Sequence, residues 1–407
     1  MNNKLKIALR ILPVIISGSC LILAYLVYPA NPGKSSLLKF ESFVVLPKGS
    51  ALNILDYLIV SNDALFVADL SQGSVFKIAL DADGTRLGAT VSELQGSPEV
   101  HGVALVPSKN LAFITRSGKN TVDVIDSRNL QLLQSIPVAD DPDAILYDQP
   151  SNLIYVANGD AGLATLIDPD KQATVASIVL PGRPEFPAVD SQTGLLYQNL
   201  VDMDTIAVID LTSRSPVGEW PLAPCNKPTG MAIDSENRRL FTVCAGNVKL
   251  VVFDLEKHQA IASLEIGARP DSVAFDATLY RIYAACTAGN LTVIRQISPD
   301  KYELVERIQT HFGAHALAVD PVGHTVYVGY ASLFTPLRVA LFSAAPINKR
   351  GGEPSPVSES ALQLKSSGHY TDNGDLQTLE LKSTGSLPFS DRCRSEGSPV
   401  VLSRCSH

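Results

Sequence analysis

A repeat of about 43 residues runs through most of the chain and limits the folds open to it. Each copy carries an aromatic residue at the same place in a short apolar run, and successive aromatics lie 42 to 47 residues apart. The seven aromatic residues are Phe66, Phe113, Tyr155, Tyr197, Phe241, Tyr283 and Tyr327. A unit of this length cannot bury its apolar face alone, so the copies must pack against one another.

Each copy has the pattern of four short strands. In the third copy an apolar run at 144–147 leads through a turn to the run bearing Tyr155, and a third run ends at Asp168 before a β-branched fourth run. Four short strands per repeat are typical of propeller blades, and no window shows sustained helical periodicity. We therefore predict an all-β fold, a seven-bladed β-propeller over residues 40–343.

An aspartate precedes the aromatic residue by seven positions in five copies. Such a residue, at the junction of a strand and a turn, accepts hydrogen bonds from backbone N–H groups two residues on. Its recurrence at one position indicates a structural role in the turn. The five residues are Asp148, Asp190, Asp234, Asp276 and Asp320.

The third copy resembles a known repeat. Its Tyr155-Val156-Ala157-Asn158, followed by Leu166-Ile167-Asp168, is similar to the repeat of the YVTN-type, or YncE-like, β-propeller family. The resemblance covers roughly residues 40–343 and implies a seven-bladed propeller of the kind found in exported bacterial proteins. It implies no catalytic residues.

The ends of the repeat region indicate how the ring closes. The seventh copy supplies three strands and then runs into a Gly- and Pro-containing segment. Residues 40–46 have the pattern of a fourth strand that precedes the first copy. We predict that this N-terminal strand completes the last blade and removes an open sheet edge.

Residues 1–39 are interpreted as a signal or membrane anchor followed by a linker. Lys4, Lys6 and Arg10 precede an uncharged apolar run at 11–28, which is just long enough to cross a bilayer. The basic flank places the body on the non-cytoplasmic side, whether the segment is an uncleaved anchor, a cleaved signal or a lipoprotein signal. We therefore predict a cell-envelope protein, either anchored to the cytoplasmic membrane through residues 11–28 or periplasmic or secreted.

Residues 344–407 are rich in Ser, Gly and Pro, which predicts a mostly disordered tail. Cys393 and Cys405 near its end are candidates for a local disulfide. The chain has a net charge of −8 although its first 30 residues contribute only positive charge, so the body is acidic. An acidic body argues against nucleic-acid binding. We also expect the protein to be a monomer.

Candidate site residues lie where each blade enters its first strand, because the first strands line the channel of a propeller. Twelve residues before each aromatic stand two histidines, three carboxylates and two other residues. In chain order they are Ile54, His101, Asp143, Glu185, Thr229, Asp271 and His315. We predict that the six polar members form a ligand-binding ring at the channel mouth.

Imidazole and carboxylate groups at one mouth suit several roles. They can hold a divalent metal, for which His101, His315 and Asp271 are the candidates, and this is the one cofactor that the sequence suggests. A histidine beside a carboxylate can also act as a general acid or base. The plainest alternative is a polar lining that holds ordered water.

Three further cysteines fall within the repeat. Cys244 and Cys286 occupy equivalent positions in neighbouring copies, and Cys225 lies in the loop that enters the fifth copy. They are open to three interpretations: buried packing, a disulfide between two of the three, or soft-metal ligation.

The sequence favours a non-catalytic binding or interaction module that takes a protein partner or a small ligand on its loop face. The alternative is a lactonase- or lyase-like propeller enzyme, metal-assisted, which uses the His and carboxylate ring. The common catalytic motifs His-Glu-x-x-His and Gly-x-Ser-x-Gly are missing, which leaves no catalytic residue assigned.

Overall fold

A computed structural model describes residues 31–47, 52–61, 63–80, 87–96, 99–333 and 336–344. Within these ranges the chain forms seven four-stranded antiparallel sheets, and the innermost strands of neighbouring sheets contact one another around a ring. The fold is a seven-bladed β-propeller, as predicted. The predicted anchor at 11–28, the tail beyond 344, and Cys393 and Cys405 lie outside the described residues.

Strands are given from the innermost to the outermost of each blade. Blade 1 consists of Leu55–Val60, Ala64–Asp69, Ser74–Leu80 and Leu87–Leu94. Blade 2 consists of Val100–Val106, Leu111–Arg116, Thr121–Asp126 and Leu132–Pro137. Blade 3 consists of Pro142–Asp148, Leu153–Asn158, Leu163–Asp168 and Ala173–Val179. Blade 4 consists of Pro184–Asp190, Leu195–Leu200, Thr205–Asp210 and Ser215–Pro221.

Blade 5 consists of Pro228–Asp234, Arg239–Cys244, Lys249–Asp254 and Gln259–Glu265. Blade 6 consists of Pro270–Asp276, Arg281–Cys286, Asn290–Ser298 and Lys301–Gln309. Blade 7 consists of Ala314–Val319, Thr325–Tyr330, Arg338–Ala344 and Leu38–Val45. A two-residue pair joins Leu52–Asn53 to Ser332–Leu333, and two 3-10 turns span Pro107–Lys109 and Ser117–Lys119. We call the face at which the inner strands begin the upper face.

The ring closes as the sequence predicts. The N-terminal strand Leu38–Val45 pairs antiparallel with Arg338–Ala344, from Leu38 opposite Ala344 to Val45 opposite Arg338. Phe40 packs edge-on against Phe342 with ring centroids 5.7 Å apart. The last blade therefore takes its outer strand from the start of the propeller, which ties the two ends together.

The repeated aromatic residues form the core between blades. All seven are at most 2% exposed, because each lies on the second strand and packs against an adjacent blade. The Oη of Tyr155 in blade 3, for example, donates a hydrogen bond of 2.9 Å to Oε1 of Gln198 in blade 4. One repeat of the sequence thus corresponds to one blade together with its contact with the next blade.

The recurring aspartates also hold neighbouring blades together. Asp148 accepts a hydrogen bond from the Ser151 backbone N–H, as expected for a turn, and another from Ser191 Oγ in the next blade. Asp276 accepts two backbone N–H groups of its own turn and meets Nδ1 of His324 in blade 7 at 2.8 Å. The structural interpretation of this position is confirmed for both residues.

A short segment before the closing strand lies along blade 6. The Gly33 backbone N–H donates to the carbonyl oxygen of Gln309 at 2.7 Å, and Ser35 Oγ donates to Oε2 of Glu306 at 2.7 Å. Residues 33–35 therefore run antiparallel to the outer strand of blade 6, starting at the upper face. We call residues 33–35 the strap.

Candidate functional site

The predicted ring residues meet in one place. A cavity of about 270 Å³ opens at the centre of the upper face. It is lined by all seven residues of the predicted rank, Ile54, His101, Asp143, Glu185, Thr229, Asp271 and His315. The predicted ring residues thus lie together in the structure, around one cavity.

Asp56 is a further ring member that the aromatic spacing missed. In blade 1, Ile59 pairs with Phe66, seven residues away, whereas in blade 2 Ala104 pairs with Phe113, nine residues away. The first hairpin of blade 1 is therefore two residues shorter. Counting back from the paired residue makes Asp56 the equivalent of His101, and Ile54 lies in the preceding loop.

A β-bulge places each ring side chain. In blade 3, Pro142 pairs with Asn158 but the next pair is Ile145 with Val156, so the pairing register shifts around Asp143. The same shift occurs near the start of the inner strand in every blade. Because a bulged residue is freed from regular pairing, its side chain can be re-aimed, here into the channel.

Five ring residues form an alternating chain of carboxylates and imidazoles. Asp56 is at its centre, with Oδ2 at 2.7 Å from Nδ1 of His101 and Oδ1 at 3.6 Å from Nδ1 of His315. His101 Nδ1 also lies 3.4 Å from Oδ1 of Asp143, and His315 Nδ1 lies 3.4 Å from Oδ2 of Asp271. The chain spans five consecutive blades, 3, 2, 1, 7 and 6.

The second nitrogen of His101 is also engaged. Nε2 lies 3.0 Å from Oγ of Ser117, which belongs to the turn after the second strand of blade 2. His101 is therefore held from both sides, by Ser117 and by Asp56. Ser117 was not predicted, because it lies four residues after Phe113 and the predicted candidates lie twelve before or three after their aromatic residues.

Burial and mutual repulsion shift the pKa values of the ring. Burial together with the charge of Asp56 raises the pKa of Asp143 to about 6, and burial with the charge of Asp143 raises the pKa of Glu185 to about 8. Burial also raises the pKa of Asp271. Burial opposes the charged form of His101, but the Asp56 hydrogen bond and the Asp143 charge raise its pKa to about 9. The same contact lowers the pKa of Asp56 despite its burial.

One side of the cavity is aromatic. Tyr57 and Phe186 stack with ring centroids 5.1 Å apart and planes 9° from parallel. The buried Oη of Tyr57 has no hydrogen-bond partner among the described residues. Burial, together with the carboxylates of the ring, raises the pKa of Tyr57 well above its ordinary value. The lining thus combines a flat apolar surface with a strongly acidic rim.

Three ring residues have metal-ligand spacing. One ligand atom each from Asp56, His101 and Asp143 lies within 4.8 Å of the other two, the one such group found within the described part of the chain. Of the metal candidates from the sequence, His101 belongs to this group. His315 and Asp271 lie on the other side of Asp56.

Of the three interpretations of the propeller cysteines, the structure has the disulfide. Cys225 and Cys244 are bonded, with Cα atoms 5.4 Å apart, and Cys286 is a buried free thiol. Cys244 and Cys286 occupy equivalent positions in the repeat. The partner of Cys244 is nevertheless Cys225, which lies in the loop that enters blade 5.

No described segment forms a helix that is long and apolar enough to cross a membrane. The predicted anchor at 11–28 is outside those segments, so it stays a prediction.

Comparison with known proteins identifies the fold. No family model and no curated protein matches the chain, so the YVTN-type resemblance stays a prediction. Among solved structures, Kuenenia stuttgartiensis hydrazine synthase is 16% identical with a TM-score of 0.60, covering 74% of this chain and 98% of that chain. The WD40 repeats of RRP9 are 12% identical with a TM-score of 0.63, covering 78% and 100%.

The structure of U3-55K is also similar, at 12% identity and a TM-score of 0.62, covering 76% of this chain and 99% of that one. Identities this low carry the fold alone, because unrelated functions share the same architecture. The comparisons therefore agree with the chain's β-propeller fold.

Proposed function

We propose that this chain is a non-catalytic binding module whose upper-face cavity takes a small cationic ligand. The observation that carries the proposal is the lining, where four carboxyl groups and two imidazoles meet. The pKa values of Asp143, Glu185 and Asp271 are all raised, because the ring concentrates acidic groups in a buried place. The opposite charge of a bound cation would offset that repulsion and stabilise the ionised carboxylates despite their burial.

The dimensions of the cavity restrict the ligand. A volume of about 270 Å³ is at the small end for ligand pockets. It suits an inorganic cation or a compact amine, and the Tyr57 and Phe186 rings offer aromatic surface to an ammonium group. A lysine or arginine side chain of a protein partner on the upper face would satisfy the same chemistry.

Calorimetric titration tests the proposal. The probes are zinc chloride, manganese chloride, methylammonium and a lysine-containing peptide, with acetate as the anionic control. At least one cation should bind with one-to-one stoichiometry and lose affinity when Asp56→Asn and Asp271→Asn are combined. Asp160→Asn, which changes an exposed carboxylate outside the cavity lining, is the matched control. Equal binding of acetate, or no binding of any cation, would overturn the proposal.

We also propose that the propeller acts in the cell envelope, exported or tethered by its N-terminal segment. The basic residues before the apolar run at 11–28 support this placement. So does the Cys225–Cys244 disulfide, since such bonds persist in oxidising compartments. Alkaline phosphatase fused after residue 407 should be active in whole cells. Activity that does not depend on residues 1–30, or no activity at all, would contradict the placement.

A hydrolase is the second candidate, and one contact favours it. Ser117 Oγ, His101 and Asp56 are hydrogen-bonded in the order of a nucleophile, its base and an orienting carboxylate. A His101 pKa of about 9 opposes this role, because the protonated imidazole cannot accept the serine proton near neutral pH. Lactone or p-nitrophenyl ester turnover that Ser117→Ala abolishes would replace the binding proposal.

A further inference from the structure

We infer that Asp56, His101 and Asp143 bind one divalent transition-metal ion at the centre of the upper face. The inference rests on the proposed function and names its ligand. It adds a residue, Asp56, that the repeat pattern does not reveal, and it leaves His315 and Asp271 out of the ligand set.

The three donors approach one point from three adjacent inner strands. His101 Nδ1 lies 2.7 Å from Asp56 Oδ2 and 3.4 Å from Asp143 Oδ1, and all three ligand atoms lie within 4.8 Å of one another. An ion with bonds of about 2.0 to 2.2 Å needs its donors about 3.0 to 3.5 Å apart. Small side-chain rotations are therefore enough to bring the donors into place.

The surroundings of His101 determine which of its nitrogens can bind a metal. Ser117 Oγ is 3.0 Å from Nε2, so it can accept the proton of that nitrogen. A metal ion would displace the proton of Nδ1, which lies beside the two carboxylates. Metal-binding histidines regularly donate their other N–H to such a partner, which fixes the orientation of the ring. Ser117 is thus a positioning residue in this site.

The inner strands that carry the ligands supply rigidity. Each ligand sits at the shifted position of an inner strand whose remaining residues stay paired in the sheet. A site built on strands holds its ligands more precisely than a site on loops. The second oxygen of Asp56 lies 3.6 Å from His315 Nδ1, which is beyond hydrogen-bond distance.

The donor set indicates the class of metal. One imidazole and two carboxylates suit Zn²⁺, Mn²⁺ or Fe²⁺, whereas a copper(I) site would need thiolate or thioether ligands. Three protein ligands leave coordination positions free, as in sites that bind a further molecule. Those positions face a cavity of about 270 Å³, so a small anionic or neutral molecule can complete the coordination.

Metal titration of the full-length chain tests this inference. The protein is stripped with a chelator, then titrated with Zn²⁺ in a competition assay and with Co²⁺ followed by visible absorption. We expect one ion per chain. The Asp143→Asn substitution keeps nearly the same side-chain size. It should weaken Zn²⁺ binding at least 30-fold and change the Co²⁺ absorption spectrum.

Asp160→Asn is the matched control, because it removes an exposed carboxylate that lies outside both the cavity lining and the ligand set. It should change Zn²⁺ affinity less than threefold. His101→Ala is the second variant, and circular dichroism of each protein verifies folding. An equal loss in Asp160→Asn and Asp143→Asn, or no stoichiometric ion, would overturn the site. Methylammonium binding that persists while Zn²⁺ fails would refute the metal alone and leave the cation-binding proposal standing.

Discussion

Replacing Glu185 with Gln should remove a pH dependence from the stability of the propeller. Burial raises the pKa of Glu185 from its ordinary 4.5 to about 8. A carboxyl shifted in this direction favours the folded state fully below its unfolded pKa and loses that contribution as pH rises through the folded pKa. The whole shift corresponds to about 5 kcal/mol. Because 29% of the side chain is exposed, solvent screening reduces it, and we expect about 2 kcal/mol between pH 5 and pH 8.5.

The assay is urea unfolding of the wild type and Glu185→Gln at those two pH values, followed by circular dichroism. The variant should gain about 2 kcal/mol on the wild type as the pH rises, because its amide does not ionise. Glu219→Gln is the control, since Glu219 is exposed on the outer strand of the same blade. If the profiles of wild type and Glu185→Gln run parallel, the carboxyl is ionised throughout, and the acidic-pocket argument for a cationic ligand loses its main support.

Three further substitutions test other parts of the fold by the same unfolding assay. Cys225→Ser should cost about 3 kcal/mol, because the bond to Cys244 closes a loop of 19 residues; an unchanged midpoint would mean the bond does not form. Arg238→Ala should cost about 3 kcal/mol, since it leaves the fully buried Asp190 without the cation of the next blade, and a loss below about 1 kcal/mol would contradict this. Tyr57→Phe should be neutral or stabilise by up to about 1 kcal/mol, because it deletes a buried hydroxyl that has no hydrogen-bond partner among the described residues; marked destabilisation would reveal a partner.

The architecture could be predicted from the sequence because it repeats. Seven aromatic residues at a nearly constant spacing report seven equivalent packing environments, and each of them is buried as the pattern requires. The closing strand was predictable for the same reason, since the seventh copy lacked one strand and residues 40–46 offered it. The pairing of the N-terminal strand with the last blade could thus be predicted by counting the strands of each copy.

The site could be predicted only in those blades whose first hairpins have the same length. His101, Asp143 and Asp271 were found because their hairpins have the same length, and Asp56 was missed because its hairpin is two residues shorter. A fixed offset from the aromatic cannot detect such a change, whereas an offset counted from the inner strand can. The bulges that aim these side chains leave no clear mark in the sequence, since they depend on pairing between strands.

Contacts that do not repeat from blade to blade could not be predicted from the sequence, for a different reason. Ser117 lies in a turn where the other copies carry other residue types, so no repeated residue pointed to it. Cys225 lies in a loop that is two residues longer than the loops entering the neighbouring blades. Each meets a partner, His101 or Cys244, only after the hairpins of its blade have formed. Spacing arguments therefore locate the framework of such a site and overlook the loop residues that complete it.

The strap fixes the point at which the N-terminal segment leaves the propeller. Gly33 is fixed to the end of the blade 6 outer strand at the upper face, so Asn31 lies within about 7 Å of that face. If residues 11–28 are held in a bilayer, the five residue steps from Tyr28 to Gly33 can span at most about 18 Å, so this rim of the upper face would stay within that distance of the membrane. Partners that approach the cavity from this side would have to fit into that space.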